Sequence, residues 1–387
     1  MMGIFVNDTA RNTLSKWTST AIRDGYATGA YLSPFTSPLL GNGYKRSALD
    51  TSKLIREAGG EFWFDPMTYA LDMPRAGDFR YYDAWGLWDK ERGRGDLSTR
   101  EAMRAHVDRV YEIQTSLSSP LLAPTKLVSN PDSMASQRAL ELSQEAVSAD
   151  SSTWLTVAGD PQFWSSGAEL DAHIGALDQL EPAGWLLVVT RQDNSMPPTS
   201  TPEEVAGLMR TTFALSQDKP VRVAFGDLAA LPAVAAGAEA IGTGWDMRQR
   251  ICAYQDFEER EDTSENDGGG WYQRPTLRGL LGGLTQKQHG VLASERQSLA
   301  SRLTPGTIGS KPEHAFRHHA TVLTSLVTEL NLLSGEDRVK VLRKHYVDAA
   351  SEWPEVAQVT GVKIGRKRWI RPFLEGLDQF AASEGWR

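Results

Sequence analysis

Acidic residues recur at the ends of short apolar runs in this sequence, joined by a few cations. Asp65 closes Glu61-Phe-Trp-Phe-Asp65, Asp160 follows the run from Ser152 to Gly159, and Asp227 follows Val221, Val223 and Phe225. Asp246 and Arg248 lie just past Ala240-Ile241 and the small triplet Gly242-Thr243-Gly244, while Thr36, Lys126 and Arg191 close other runs. Carboxylates mixed with a lysine and two arginines suit general acid/base or nucleophilic work on a polar, hydrogen-bonding substrate. Asp65 and Asp246 form the candidate catalytic pair. A buried carboxyl can stay protonated as an acid while a better solvated one stays charged as a nucleophile. Lys126, Asp160, Arg191, Gly242, Thr243, Gly244 and Arg248 are the candidate substrate contacts.

Each of these has a plainer counterpart. An Asp before a helix commonly caps it, which suits Asp227 better than catalysis. Asp65 precedes Pro-Met-Thr, where capping fits less well. Gly242-Thr243-Gly244 reads equally as a phosphate cradle at a helix N-terminus and as a tight turn. The seven histidines show no metal-ligand spacing, and adjacent His318 and His319 face different sides of a helix. No metal or cofactor is expected, nor any Ser-His-Asp or Cys-His arrangement.

Positioning these residues requires repeated strands and helices. Residues 219–250 carry the clearest unit: an apolar run at Val221 to Phe225, a small-residue helix ended by Gly237, then Ala240-Ile241. That is a parallel crossover. Earlier strands are expected at Gly29 to Ser37, Glu61 to Asp65, Pro120 to Lys126, Ser152 to Gly159 and Gly184 to Thr190, each followed by an amphipathic helix. Residues 1–28 read as an entry helix. Seven such repeats predict a (β/α)8 TIM-type barrel over residues 1–275, with the eighth strand near Gly270 to Gln273. A helical C-terminal domain follows at 276–387. The connection 72–98 is far longer than the usual two to six residues and carries Phe79, Tyr81, Tyr82, Trp85 and Trp88. It reads equally as a functional lid and as a packed subdomain or a contact between copies in a homo-oligomer.

With 387 residues, 40% hydrophobic and 23% charged, the chain is of ordinary globular composition. It has no apolar run long enough for a membrane span and no secretory pattern over Met1 to Trp17. Cys252 is its one cysteine, which rules out an internal disulfide and suits a cytoplasmic protein. The net charge of −8 is uneven: residues 301–387 carry +3 and the remainder −11. Lys363, Arg366, Lys367, Arg368 and Arg371 surround Trp369, the composition of a phosphate-contacting patch with a stacking ring. The alternative is a solvated helix start.

Two segments resemble the tRNA-guanine transglycosylase superfamily, which includes enzymes that insert 7-deazaguanine bases into DNA. One is Glu61 to Asp65 with Pro-Met-Thr-Tyr69, similar to the family strand whose Asp contacts the exchanged base. The other is Gly226 to Arg248, similar to the family's sixth and seventh strand region. The Gly-Gly after the first Asp and the zinc cysteines are absent here, and the nucleophilic Asp would align near Gly242 rather than Asp246. The resemblance implies a pentosyl-transferring base exchange in DNA or RNA. One Asp attacks the sugar C1′, and the partners are nucleic acid and a free purine-like base. Two other readings stand beside it. One is a barrel lyase or isomerase on a small phosphorylated metabolite, with phosphate at Gly242 to Gly244 and Lys126 as Schiff-base or acid residue. The other is a barrel without catalysis that serves as an interaction module.

Overall fold

The computed structural model describes residues 2–9, 12–41, 46–196, 198–259, 275–304, 306, 308–309, 311–363 and 369–386. Eight parallel strands form its centre: β1 (Gly3–Asn7), β2 (Gly29–Leu32), β3 (Glu61–Phe64), β4 (Leu127–Val128), β5 (Trp154–Gly159), β6 (Gly184–Arg191), β7 (Val221–Ala224) and β8 (Ala240–Thr243). They pair in the order β3-β2-β1-β8-β7-β6-β5-β4, which is the cyclic order of a (β/α)8 barrel. Helices alternate with the strands: α1 (Asn12–Arg23), α2 (Ala48–Glu57), α3 (Arg100–Ser116), α4 (Met134–Ala149), α5 (Pro161–Trp164), α6 (Ala168–Asp178), α7 (Pro202–Leu215) and α8 (Leu231–Ala236). Beyond the one-turn α9 (Met247–Arg250), the chain is mainly helical: α10 (Gln286–Glu295), α11 (Gln297–Leu303), α12 (Pro312–Asn331), α13 (Gly335–Thr360) and α14 (Ile370–Ser383).

Two expectations about the strands are corrected. The first strand is β1, inside the stretch read as an entry helix, and it is buried along its whole length between β2 and β8. The apolar residues of this five-residue strand are Ile4, Phe5 and Val6, and so short a run fits one turn of a helix as well as a buried strand. With β1 the strand count reaches eight; Gly270 to Gln273 lies outside the described residues. Likewise Pro120 to Lys126 precedes the assigned β4 instead of forming it. Residues 121–123 pair with the start of β5 through Trp154, and Pro124, having no N–H, interrupts the ladder. The C-terminal helices are wrapped on the barrel: α12 packs on β1, α1 and α8, while α14 packs on α7. No described helix is long and apolar enough to cross a membrane.

Two devices hold the barrel shape. Near its N-terminal end, Phe5, Trp63, Trp154 and Arg222, one from each odd-numbered strand, share a layer, as alternate strands do in such barrels. The Arg222 guanidinium lies 4.6, 4.8 and 4.7 Å from the ring centres of Phe5, Trp63 and Trp154. It pairs with Glu61 at 2.9 Å and Glu239 at 2.7 Å. The second device ties β3 to the segment that leads into β4, since β3 and β4 share no ladder. There the buried Gln114 amide donates to Phe64 O (3.0 Å) and Leu122 O (2.9 Å) and accepts from Leu122 N (3.1 Å). Ser119 Oγ accepts from Phe64 N at 2.9 Å. Gln114→Leu strands three buried backbone groups and should cost roughly 2–3 kcal/mol of unfolding free energy. Urea denaturation checks this, and an unchanged midpoint would mean that the seam is held elsewhere.

Candidate active site

The C-terminal ends of β1, β2, β3, β7 and β8 open into one cavity of about 950 Å3. Asp65 and Asp246 both line it, as does Arg248. Asp65 follows β3 directly and is buried. The chain turns sharply at Met67, whose φ is 47°, so that Met67 N donates to Asp65 Oδ1 at 2.9 Å. Tyr69 Oη donates to Oδ2 at 2.8 Å. Burial pushes the Asp65 carboxyl up to about 6, and those two hydrogen bonds offset the rise only in part. Asp246 is half-buried, and its Oδ1 accepts from Arg248 N at 3.0 Å, a capping bond at the start of α9. The exposed Arg248 reaches Asp256 at 3.5 Å.

The strongest titratable candidate was missed from sequence. Asp8 follows β1, and its Oδ1 accepts from Thr9 N at 2.6 Å. Burial pushes its carboxyl up to about 7, against the nearby Thr18, Thr9, Ser15 and Arg46. It lines the same cavity, two strands from Asp65. Buried carboxyls poised at about 6 and 7 are suited to exchange protons at neutral pH. The signal was present as Asn-Asp-Thr after an apolar run, but only a strand assignment for residues 3–7 puts it at the barrel mouth.

The other expected contacts fall elsewhere. Lys126 is paired to Asp72. Asp160 caps α5, accepting from Gln162 N and Phe163 N at 3.0 Å each. Arg191 is held by Glu204, with one contact at 2.9 Å. Gly242 is required by packing, since a Cβ there would lie 2.7 Å from Phe225 N, and one at Gly244 would lie 2.1 Å from Gln249 Cβ. Close backbone approach accounts for both glycines. In the tail, Lys363 is exposed, Arg371 pairs with Glu375 at 2.7 Å, and Arg366, Lys367 and Arg368 lie outside the described residues. Trp369 is buried against Tyr346 and Phe373, where its ring cannot stack on a base.

The segment 72–98 is packed over the mouth. Trp85 stacks on Phe64 with ring centres 4.5 Å apart, Tyr82 packs on Phe35 at 4.6 Å, and Phe79, Arg80 and Tyr81 face the cavity.

Beside the mouth, Asp227 joins barrel and C-terminal helices. Thr243 Oγ1 donates to it, and the His319 ring lies 2.9 Å away through Nε2. His319 Nδ1 meets Thr276 Oγ1 at 2.8 Å. Burial and the Arg250 charge hold the imidazole below its usual range despite Asp227. The ring spans Asp227 at Nε2 and Thr276 at Nδ1. Burial alone would raise the Asp227 carboxyl, but His319, Arg250 and Thr243 keep it well below the usual carboxylate range. The network thus sets a buried carboxylate between the Arg250 guanidinium and the His319 ring. Asp227→Asn should cost roughly 2–3 kcal/mol in urea titrations, because Arg250 loses its buried counter-charge. A loss below about 0.5 kcal/mol would reduce the network to incidental contacts.

No family model matches the chain, and no curated protein does. Solved structures give slight likenesses. A probable tagatose 6-phosphate kinase from Sinorhizobium meliloti is 12% identical with a TM-score of 0.34, covering 98% of each chain. A chain of the tryptophan synthase α2β2 complex from the hyperthermophile Pyrococcus furiosus is 14% identical with a TM-score of 0.32, covering 63% of this chain and 89% of that one. A mandelate oxidase mutant with benzaldehyde is 12% identical with a TM-score of 0.32, covering 65% of this chain and 68% of that one. Likenesses this slight carry nothing about chemistry.

Proposed function

We propose that this barrel is an enzyme performing acid–base chemistry on a small, polar, ring-bearing metabolite at its C-terminal mouth. The observation that carries the reading is the pair of buried carboxyls, Asp8 and Asp65, raised by burial to about 7 and about 6 and lining one cavity of about 950 Å3. A cavity of that size suits a small ligand. One carboxyl donates a proton to a leaving or carbonyl oxygen while the other, ionised at the same pH, accepts one. The phosphate cradle expected at Gly242 to Gly244 is not part of this reading, since those glycines serve packing.

The test is turnover of pooled small metabolites followed by mass spectrometry. Depletion by the wild type should fall on the order of 100-fold or more in both Asp65→Asn and Asp8→Asn, as for loss of a general acid or base. Depletion unchanged in both variants would refute the assignment.

A second reading is favoured by one specific observation: Asp65 and Asp246 line the same cavity, as a base exchange dividing labour between them would need. In that reaction the Asp246 carboxylate forms a bond to the sugar C1′ as the C1′–N bond breaks. Asp65 protonates the departing base, then takes the ring N–H proton of the incoming 7-deazaguanine as that nitrogen bonds C1′ and the Asp246 carboxylate leaves. DNA or RNA and a free base are then the partners. Labelled-base exchange in duplex and single-stranded substrates separates the two readings.

A further inference from the structure

Four polar side-chain atoms at the end of β1 and on α9 lack hydrogen-bond partners among the described residues: Asn7 Oδ1, Asp8 Oδ2, Thr9 Oγ1 and Gln249 Nε2. All four residues line the mouth cavity, and Asn7, Asp8 and Gln249 are 4%, 3% and 5% exposed. Buried polar groups are nearly always hydrogen-bonded, so four unpartnered atoms on residues that line one cavity mark a place for a ligand's polar edge. Their roles are fixed by the bonds they do make. Asn7 Nδ2 donates to Gln249 O at 2.7 Å, which leaves Asn7 Oδ1 as an acceptor. Gln249 Oε1 accepts from Trp245 N at 2.8 Å and Asp246 N at 3.3 Å, which leaves Nε2 as a donor.

The rest of the lining is acceptor-rich. Asp78, Asp246 and Glu259 add carboxylates. Of the cations, Arg94 is taken by Asp83 through two bonds of 2.8 Å, Arg248 by Asp256, and Arg80 is engaged as well. Among the described lining residues every arginine is engaged, so a phosphate would enter a field of like charge. A ligand rich in hydroxyl or amine donors would satisfy these acceptors. The aromatic walls, Phe79, Phe225 and Phe257 among them, offer a platform for the apolar face of a ring.

We propose that Asn7, Asp8, Thr9 and Gln249 form the recognition subsite for a polyhydroxylated ring, neutral or amino-substituted and without phosphate. The inference rests on the acid–base reading for the location of the substrate, and it adds the substrate's class.

The experiment is saturation-transfer NMR followed by calorimetry on the full chain. The probes are methyl glucoside, galactoside, mannoside and riboside, with glucosamine, glucose 6-phosphate, ribose 5-phosphate and uracil. At least one unphosphorylated sugar should bind with a Kd of about 10 mM or tighter, and its phosphorylated counterpart on the order of tenfold more weakly. Asp8→Asn should weaken that binding on the order of tenfold, and Thr9→Val about threefold. Thr9→Val breaks no side-chain hydrogen bond among the described residues, so its melting temperature should match the wild type. Three results overturn the proposal: no sugar binds, a phosphorylated sugar or uracil binds more tightly than every unphosphorylated one, or both variants bind like the wild type. Should sugars bind while Asp8 and Asp65 titrate as ordinary carboxyls, the subsite stands and the acid–base reading falls. Raised carboxyls without sugar binding give the reverse.

Discussion

Replacing Arg222 with methionine should lower the unfolding free energy by roughly 3–5 kcal/mol, the range for removing one partner of a buried ion pair. The guanidinium is 5% exposed, while Glu61 and Glu239, which it holds together, are 26% and 22% exposed. Methionine fills much of the volume but leaves two carboxylates facing each other across the barrel floor. It also forfeits the cation–π contacts with Phe5, Trp63 and Trp154. Arg222→Lys keeps the charge without the fork that spans both acids and should lose about half as much. Urea unfolding at pH 7 gives both numbers. A loss below about 1 kcal/mol in the methionine variant would show that the aromatic layer alone carries the floor.

The second large effect is a pH-dependent exchange of stability between the wild type and Asp8→Asn. The Asp8 carboxyl sits at about 7 in the folded chain against 3.8 unfolded. Below 3.8 both states are protonated and the group contributes nothing. As pH rises towards 7 the unfolded chain ionises while the folded one does not, so the wild type loses about 4 kcal/mol from this group. Asparagine does not titrate. The variant should gain on the wild type by about that amount between pH 4 and 8. The comparison has to be made against the variant, because buried His106 and His173, pushed down to about 4, act with the opposite sign. Their neutral folded forms lend stability above 6.5 that is lost as pH falls towards 4. A variant that tracks the wild type in parallel across that range would place Asp8 in contact with water.

The sequence made much of the barrel legible where strands and helices alternate with distinct periods, from Gly29 to Thr243. The mouth was legible in part. Asp65, Asp246 and Arg248 were named from their positions after apolar runs, and they do share a cavity. Lys126, Asp160 and Arg191 stand at equivalent positions, yet their side chains are committed to Asp72, Gln162 with Phe163, and Glu204. A strand end fixes where the backbone goes, whereas the partner that captures the side chain comes from another element. β1 was lost because Ile4-Phe5-Val6 is too short a run to show a period, and Asn7, Asp8 and Thr9 were lost with it. The bridge made by Gln114 and the burial of Trp369 depend on packing between segments far apart in sequence, which local pattern does not encode.

The proposed chemistry stands on two carboxyls at the barrel mouth holding their protons into the neutral range. Carbon-13 NMR of the aspartate carboxyls, followed from pH 3 to 9 in the wild type, Asp8→Asn and Asp65→Asn, measures this directly. Two resonances should titrate near 7 and near 6, the first absent from Asp8→Asn and the second from Asp65→Asn. If every aspartate instead titrates at or below its ordinary value of 3.8, the mouth holds no acid at neutral pH and the proposed chemistry has no proton donor.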